Sequence, residues 1–203
     1  SIKNQILSDI SSKIRENSSL ILEENAKDIS EAKRLYELGE LSLSTCERVM
    51  LNESKIEQMA KYCESVAILP NPIGKIIDAT CLDEGLELYK VSWPIGVILM
   101  IFESRPDAVI QISALGIKSG NAVILKGGSE SLNSNKILVK LFRKALSINK
   151  VNPDYVQLID KKGRRYVDFM LTRMNDYLDV IIPRGGKRLV KKINKYSNIP
   201  TIG

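Results

Sequence analysis

Three short runs combine the residue types that hold anions: Glu103-Ser104-Arg105-Pro106, Lys126-Gly127-Gly128-Ser129-Glu130 and Pro183-Arg184-Gly185-Gly186. Each lies between an apolar, strand-like run and a helical pattern. Backbone N–H groups and the dipole of the following helix therefore favour a phosphate or carboxylate there. Paired glycines let a ligand approach the main chain closely, and Arg105, Lys126 and Arg184 add positive charge. The common fingerprints are absent: no strand is followed by GxGxxG, and Gly116-Ile117-Lys118-Ser119 lacks the upstream glycine of a P-loop. Taken singly, such a glycine pair is more often an ordinary helix entry. Three at one sheet edge make a candidate site for a phosphorylated nucleotide.

Composition removes many rival chemistries. Histidine is absent from the 203 residues, which excludes a Ser/His or Cys/His nucleophilic pair and a zinc site that needs imidazole. The cysteines, Cys46, Cys63 and Cys81, form no CxxC knuckle, so no metal site is expected. Their odd number fits free thiols in a reducing, cytoplasmic compartment. With 44% apolar and 27% charged residues, the chain can bury a core, and disorder is excluded as the main reading. The longest apolar run, Ile95 to Phe102, is far short of the roughly 20 residues that span a bilayer; it reads as a buried strand. No membrane partner is expected, and the first residues show no signal-peptide pattern.

The formal charge of +6 is unevenly placed. Arg184, Lys187, Arg188, Lys191, Lys192 and Lys195 carry the whole excess, with no acidic residue from Arg184 to Gly203. Such a run is either a solvated helix face or a positive site for phosphate. Only Tyr196 offers a stacking surface, at its end, so nucleic acid is not an expected partner.

The elements that would position these runs follow from periodicity. Ile2, Ile6, Ile10 and Ile14 form a helical stripe. Asn17-Ser18-Ser19 offers a break and an N-cap before a second helix that Gly39 stops, and Asn52 caps a third that ends before Pro70-Asn71-Pro72. Beyond Pro72, Leu86–Val91 alternates as a strand with one wet face. Ile95–Phe102 reads as a strand covered on both faces. A helix with Pro106 at its first position ends at Gly120. Then come a strand at 122–125, a helix at 132–146, a strand at 156–159, a helix around 166–171, a strand at 180–182 and a basic helix from about Gly186. Ile199-Pro200-Thr201-Ile202 begins one more strand. Strand and helix alternating four times predict an α/β fold with a doubly wound, mostly parallel sheet, preceded by an N-terminal helical segment. The expected division is 1–72 for the helical segment and 73–203 for the sheet domain. In such sheets ligands bind beyond the carboxyl ends of the strands, where all three runs lie.

These runs also carry a resemblance. Pro94-Ile95-Gly96-Val97-Ile98, Phe102-Glu103-Ser104-Arg105-Pro106, the stretch from Leu115 to Glu130, Ile182-Pro183-Arg184-Gly185-Gly186 and Ser197-Asn198-Ile199-Pro200 occur in the order found in gamma-glutamyl phosphate reductase. The chain thus resembles that enzyme family, also called glutamate-5-semialdehyde dehydrogenase, within the aldehyde dehydrogenase superfamily. The same module forms the second half of the bifunctional pyrroline-carboxylate synthase.

The resemblance implies a Rossmann-like sheet of the aldehyde dehydrogenase type, with NADP as cofactor. It implies NADPH-dependent reduction of gamma-glutamyl phosphate to glutamate 5-semialdehyde in proline biosynthesis. In the family a cysteine thiolate displaces phosphate from the acyl phosphate, and hydride reduces the resulting thioester. Lys126, with Gly127 and Gly128, falls where the superfamily holds the adenosine ribose, and Ser129 or Glu130 falls near the ribose-binding acid. Arg184, Gly185 and Gly186 fall at the glycine loop near the pyrophosphate. Ser104 falls at the oxyanion-hole position, and Arg105 is expected to hold the acyl phosphate. The nucleophilic cysteine is expected beyond Gly203, so the 203 residues form the cofactor-binding half, without the catalytic domain and inactive alone. A homo-oligomer is expected for the full-length parent. The rival readings are a dinucleotide- or phosphate-binding module without chemistry, and an aldehyde dehydrogenase of different substrate.

Overall fold

The protein is described by a computed structural model covering residues 1–203, the side chain of Arg164 apart. Four helices come first: α1 (Ile2–Glu16), α2 (Ser18–Glu37), α3 (Leu43–Val49) and α4 (Glu53–Ile68). The predicted α1 stripe is buried from Ile6 onward, while Ile2 is exposed; Ile6, Leu7, Ile10 and Ile14 share a core with Ile56, Met59, Ala60 and Cys63 of α4. Asn52 caps α4 as expected, its side chain accepting from the Lys55 amide at 2.8 Å. Asn17 differs from expectation: its Nδ2 donates back to the Lys13 carbonyl at 2.8 Å, closing α1 rather than capping α2. The seven-residue α3 is too short for periodicity to reveal.

An antiparallel ribbon follows, β1 (Ile76–Asp83) with β2 (Leu86–Val91). The alternation in Leu86–Val91 predicts one wet face, yet every residue of both strands is exposed. The reason is position: Leu88 at 57% exposure and Tyr89 at 49% lie on opposite faces of a ribbon that rests on no core. Its partner strand β1 is absent from the predicted elements, and Cys81 lies inside it. Ser92 closes the base, its hydroxyl donating to the Pro72 carbonyl at 2.6 Å and accepting from the Lys75 amide at 3.0 Å.

The main sheet holds β3 (Val97–Phe102), β4 (Ala122–Lys126), β5 (Val156–Leu158) and β6 (Val180–Arg184), all parallel, in the order β5-β4-β3-β6. Along β3, Ile98, Met100 and Phe102 join a core shared with α5 (Asp107–Ser119), α6 (Leu132–Ile148) and the N-terminal helices. Leu99 and Ile101 point the other way, into a second core with α7 (Arg164–Arg173) and α8 (Lys187–Tyr196). Helices therefore cover both faces, the doubly wound α/β fold that the alternation predicts. Pro106 sits one residue ahead of its helix, as N-cap. Thr201 bridges to Ile181 in parallel, so the last residues start a strand beside β6.

One buried acid ties the helical layer to the sheet layer. Asp28 of α2, 2% exposed, accepts the backbone amides of Asn133 (3.0 Å) and Ser134 (2.7 Å) in the first turn of α6. It also accepts the Ser134 hydroxyl at 2.7 Å and Asn133 Nδ2 at 3.0 Å. It thus caps α6 from another element, where the helix dipole favours an anion. Asn25 extends the network: its Nδ2 donates to the Val49 carbonyl and to Ser134 Oγ, and its Oδ1 accepts the Leu51 amide. Asp28→Ala leaves these buried donors without an acceptor. It is expected to destabilise the protein by about 3 kcal/mol, read as a lower urea midpoint at unchanged slope, with Asp28→Asn losing less.

Candidate functional site

β3, β4 and β6 are parallel neighbours, so the loops that leave their carboxyl ends lie side by side. The chain steps from β3 outward through β4 to β5, then returns across the sheet to β6. The point between β3 and β6 is thus a topological switch, where such sheets open a crevice. The three anion-favouring runs flank it, as the sequence predicts.

Two carboxylates lace the runs together. Glu130 Oε1 accepts the Ser104 amide at 3.2 Å and also the Ser104 hydroxyl, joining the loops after β3 and β4. A Cβ on Gly128 would meet that carboxylate, so a side chain there would push Glu130 aside. Glu103 Oε2 accepts the Gly186 amide at 3.1 Å, joining the loops after β3 and β6 at the start of α8. A Cβ on Gly185 would meet the same Glu103 carboxyl group. Gly127 packs against the Phe102 ring and Asn135 with no room for a side chain. Neither carboxylate's role is visible in the sequence, because each bond spans loops far apart in the chain.

The cations divide. Arg184 and Arg105 line one narrow crevice at the switch point, with Phe102, Glu103, Ala108 and Gln111. Arg105 also pairs with Asp107 at 2.7 Å, which raises its guanidinium pKa. Lys126 is half-buried and donates to the Gly127 carbonyl at 3.0 Å. Burial lowers its pKa below the ordinary lysine value, and the Glu130 charge opposes that shift. Ser129 is exposed, whereas Glu130 turns inward to Ser104. Ser104 is buried, its amide and hydroxyl both committed to Glu130. Of the C-terminal basic residues, Arg184 reaches the crevice, while Lys187, Arg188, Lys191, Lys192 and Lys195 are exposed along α8.

The cysteines lie elsewhere. Cys46 and Cys63 are buried in α3 and α4, and burial pushes the Cys63 thiol up to about 12. Cys81 is on the exposed ribbon. Among the described residues, no helix is long and apolar enough to cross a membrane.

No family model matches the chain. Its similarity to known proteins is nevertheless extensive. It is 42% identical over 201 residues to gamma-glutamyl phosphate reductase of Natronomonas pharaonis, covering 99% of this chain and 45% of that protein. It is 42% identical over 202 residues to the probable gamma-glutamyl phosphate reductase of Schizosaccharomyces pombe, covering 99% and 44%. The crystal structure of gamma-glutamyl phosphate reductase from Thermotoga maritima superposes with a TM-score of 0.90 at 36% identity, over 98% of this chain and 47% of that one. An NAD-dependent benzaldehyde dehydrogenase from Corynebacterium glutamicum gives 0.75 at 17% identity, over 99% and 40%, which shows the shared fold. The chain is thus a homologue of gamma-glutamyl phosphate reductases with the aldehyde dehydrogenase fold, and spans a little under half of their length.

The electrostatics around Lys126 give a signed expectation. In a side-chain NMR titration, Lys126 should titrate below an ordinary lysine. Glu130→Gln removes the charge that opposes the burial shift, so its pKa should fall further. An unchanged or higher value in that variant would contradict the arrangement.

Proposed function

We propose that this chain forms the cofactor-binding half of an NADPH-dependent oxidoreductase that reduces gamma-glutamyl phosphate to glutamate 5-semialdehyde, a step of proline biosynthesis. The observation that carries the reading is the gathering of three anion-favouring loops at the switch point of a parallel sheet, in a chain alike over nearly all its length to reductases of that name.

The residues fit a phosphorylated dinucleotide. Lys126 is a partly desolvated ammonium whose nearest acid, Glu130, is engaged with Ser104. The exposed neighbour is Ser129, so a 2′-phosphate meets a cation and a hydroxyl rather than a carboxylate. The first turn of α6 is filled by Asp28; at the Gly185-Gly186 entrance to α8 the pyrophosphate would take the Gly186 amide from Glu103. NADPH would supply the hydride.

The chain's own residues then have distinct tasks. Arg105 and Arg184, in one crevice, neutralise the acyl phosphate and the phosphate that leaves. Ser104 is placed to donate to a developing oxyanion once it exchanges Glu130 for the substrate oxygen. The nucleophilic thiolate rests on the resemblance, not on these cysteines: Cys46 and Cys63 are buried in α3 and α4, and Cys81 is on the ribbon. That ribbon exposes Ile76, Ile77, Leu82, Leu86, Leu88 and Val91, and in the full-length protein it pairs with another copy to make a homo-oligomer.

Two measurements test this reading. Lys126→Ala should weaken NADPH binding about tenfold more than NADH binding in a fluorescence titration, the size of one charge-assisted contact. Equal losses for both would remove Lys126 from the 2′-phosphate. The 203 residues alone should not oxidise NADPH with gamma-glutamyl phosphate, and the full-length parent should. Turnover by these residues alone would place the nucleophile among them.

A further inference from the structure

Lys126 and Glu130 stand on one short loop at the end of β4, with opposite charges. Closed on each other, they would leave no free cation for a phosphate. Among the described residues they do not close. Lys126 forms no ion pair, and its ammonium donates to the Gly127 carbonyl at 3.0 Å instead. Glu130 is turned away to the neighbouring loop, where its Oε1 accepts the Ser104 amide at 3.2 Å and the Ser104 hydroxyl as well.

Two features keep the carboxylate there. Ser104 is 4% exposed, so its bonds to a charged acceptor are shielded from competing water and correspondingly strong. Gly128 leaves the room, because the folded-back carboxyl group of Glu130 lies where a Cβ of that residue would be. The separation from Lys126 is still small. The Glu130 charge raises the Lys126 pKa against the lowering by burial, so the two groups sense each other without pairing. Ser104, from the loop after β3, is thus the residue that decides where an acid of the loop after β4 lies.

We propose that Ser104 sets the choice between NADPH and NADH, as a positioning residue that holds the Glu130 carboxylate off Lys126. This rests on the placement of Lys126 at the 2′-phosphate proposed above, and deepens it. With Glu130 on Ser104, the phosphate meets an ammonium and no anion. Released from Ser104, Glu130 is drawn to Lys126 by their opposite charges. The ammonium is then neutralised and the carboxylate repels the 2′-phosphate. NADH carries a hydroxyl at that place, which a carboxylate accepts readily. Discrimination therefore depends on where an unwanted charge is stored as much as on the cation itself.

The test reads cofactor binding rather than turnover, in the full-length protein that contains this chain. Dissociation constants for NADPH and NADH are measured by fluorescence titration for the wild type, Ser104→Ala and the double variant Ser104→Ala/Glu130→Gln. Ser104→Ala should reduce the preference for NADPH by about tenfold. The double variant should regain it, because no carboxylate is left to move. The ratio of two cofactors within one variant does not depend on how much of the variant is folded. A bond that merely braces the loops would weaken both cofactors alike, so a wild-type ratio in Ser104→Ala, or no recovery in the double variant, would overturn the proposal. A ligand-free measurement is independent of the cofactor: by side-chain NMR, Lys126 should titrate higher in Ser104→Ala than in the wild type, and an unchanged value would also overturn it. If Lys126 does titrate higher but Lys126→Ala costs NADPH and NADH equally, the carboxylate moves as described and Lys126 is not at the 2′-phosphate. The functional reading of Lys126 then fails, and the specificity assignment with it.

Discussion

The burial of Asp28 against the first turn of α6 is the constraint on which the other arrangements rest. A carboxylate at 2% exposure is tolerable because four donors surround it, two of them helix amides that have no partner within their own helix. This fixes where α6 begins, and so where the Lys126–Glu130 loop must end. Through Asn25 the same network fixes the exit of α3. The helical layer is therefore more than a cover for apolar sheet surface. It also supplies the anion at the start of α6, as Glu103 does at the start of α8.

Periodicity made the sheet domain legible. Every strand of the parallel sheet was expected within a residue or two, because strands buried on both faces must be apolar throughout and their helices amphipathic. The three loops could be placed together from topology alone. What stayed hidden depends on distance along the chain. Asp28 and Ser134 are 106 positions apart in the chain, and no local pattern marks Asp28 as a cap. Glu103 reads as an ordinary loop acid and Glu130 as a candidate near the ribose-binding position, and neither reading shows that each bridges two loops. The ribbon misled for another reason: alternation signals a half-buried strand only when a core lies beneath it.

The two loop carboxylates give the edge an unusual electrostatic balance. Arg105, Lys126 and Arg184 gather positive charge, and Glu103 and Glu130 return much of it while occupying the amides of Gly186 and Ser104. The loops are thereby held in shape by bonds that an incoming oxygen ligand can replace in kind.

The ribbon has a separate consequence for how the molecule opens. Its strands hold each other through their ladder and are tied down at Ser92, but no buried side chain couples them to the body. A lone two-stranded ribbon is marginal in water, so its amides should exchange with solvent through local fraying long before the sheet loosens. Protection of those amides against deuterium would then report how completely another surface covers the ribbon, independently of the stability of the domain that carries it.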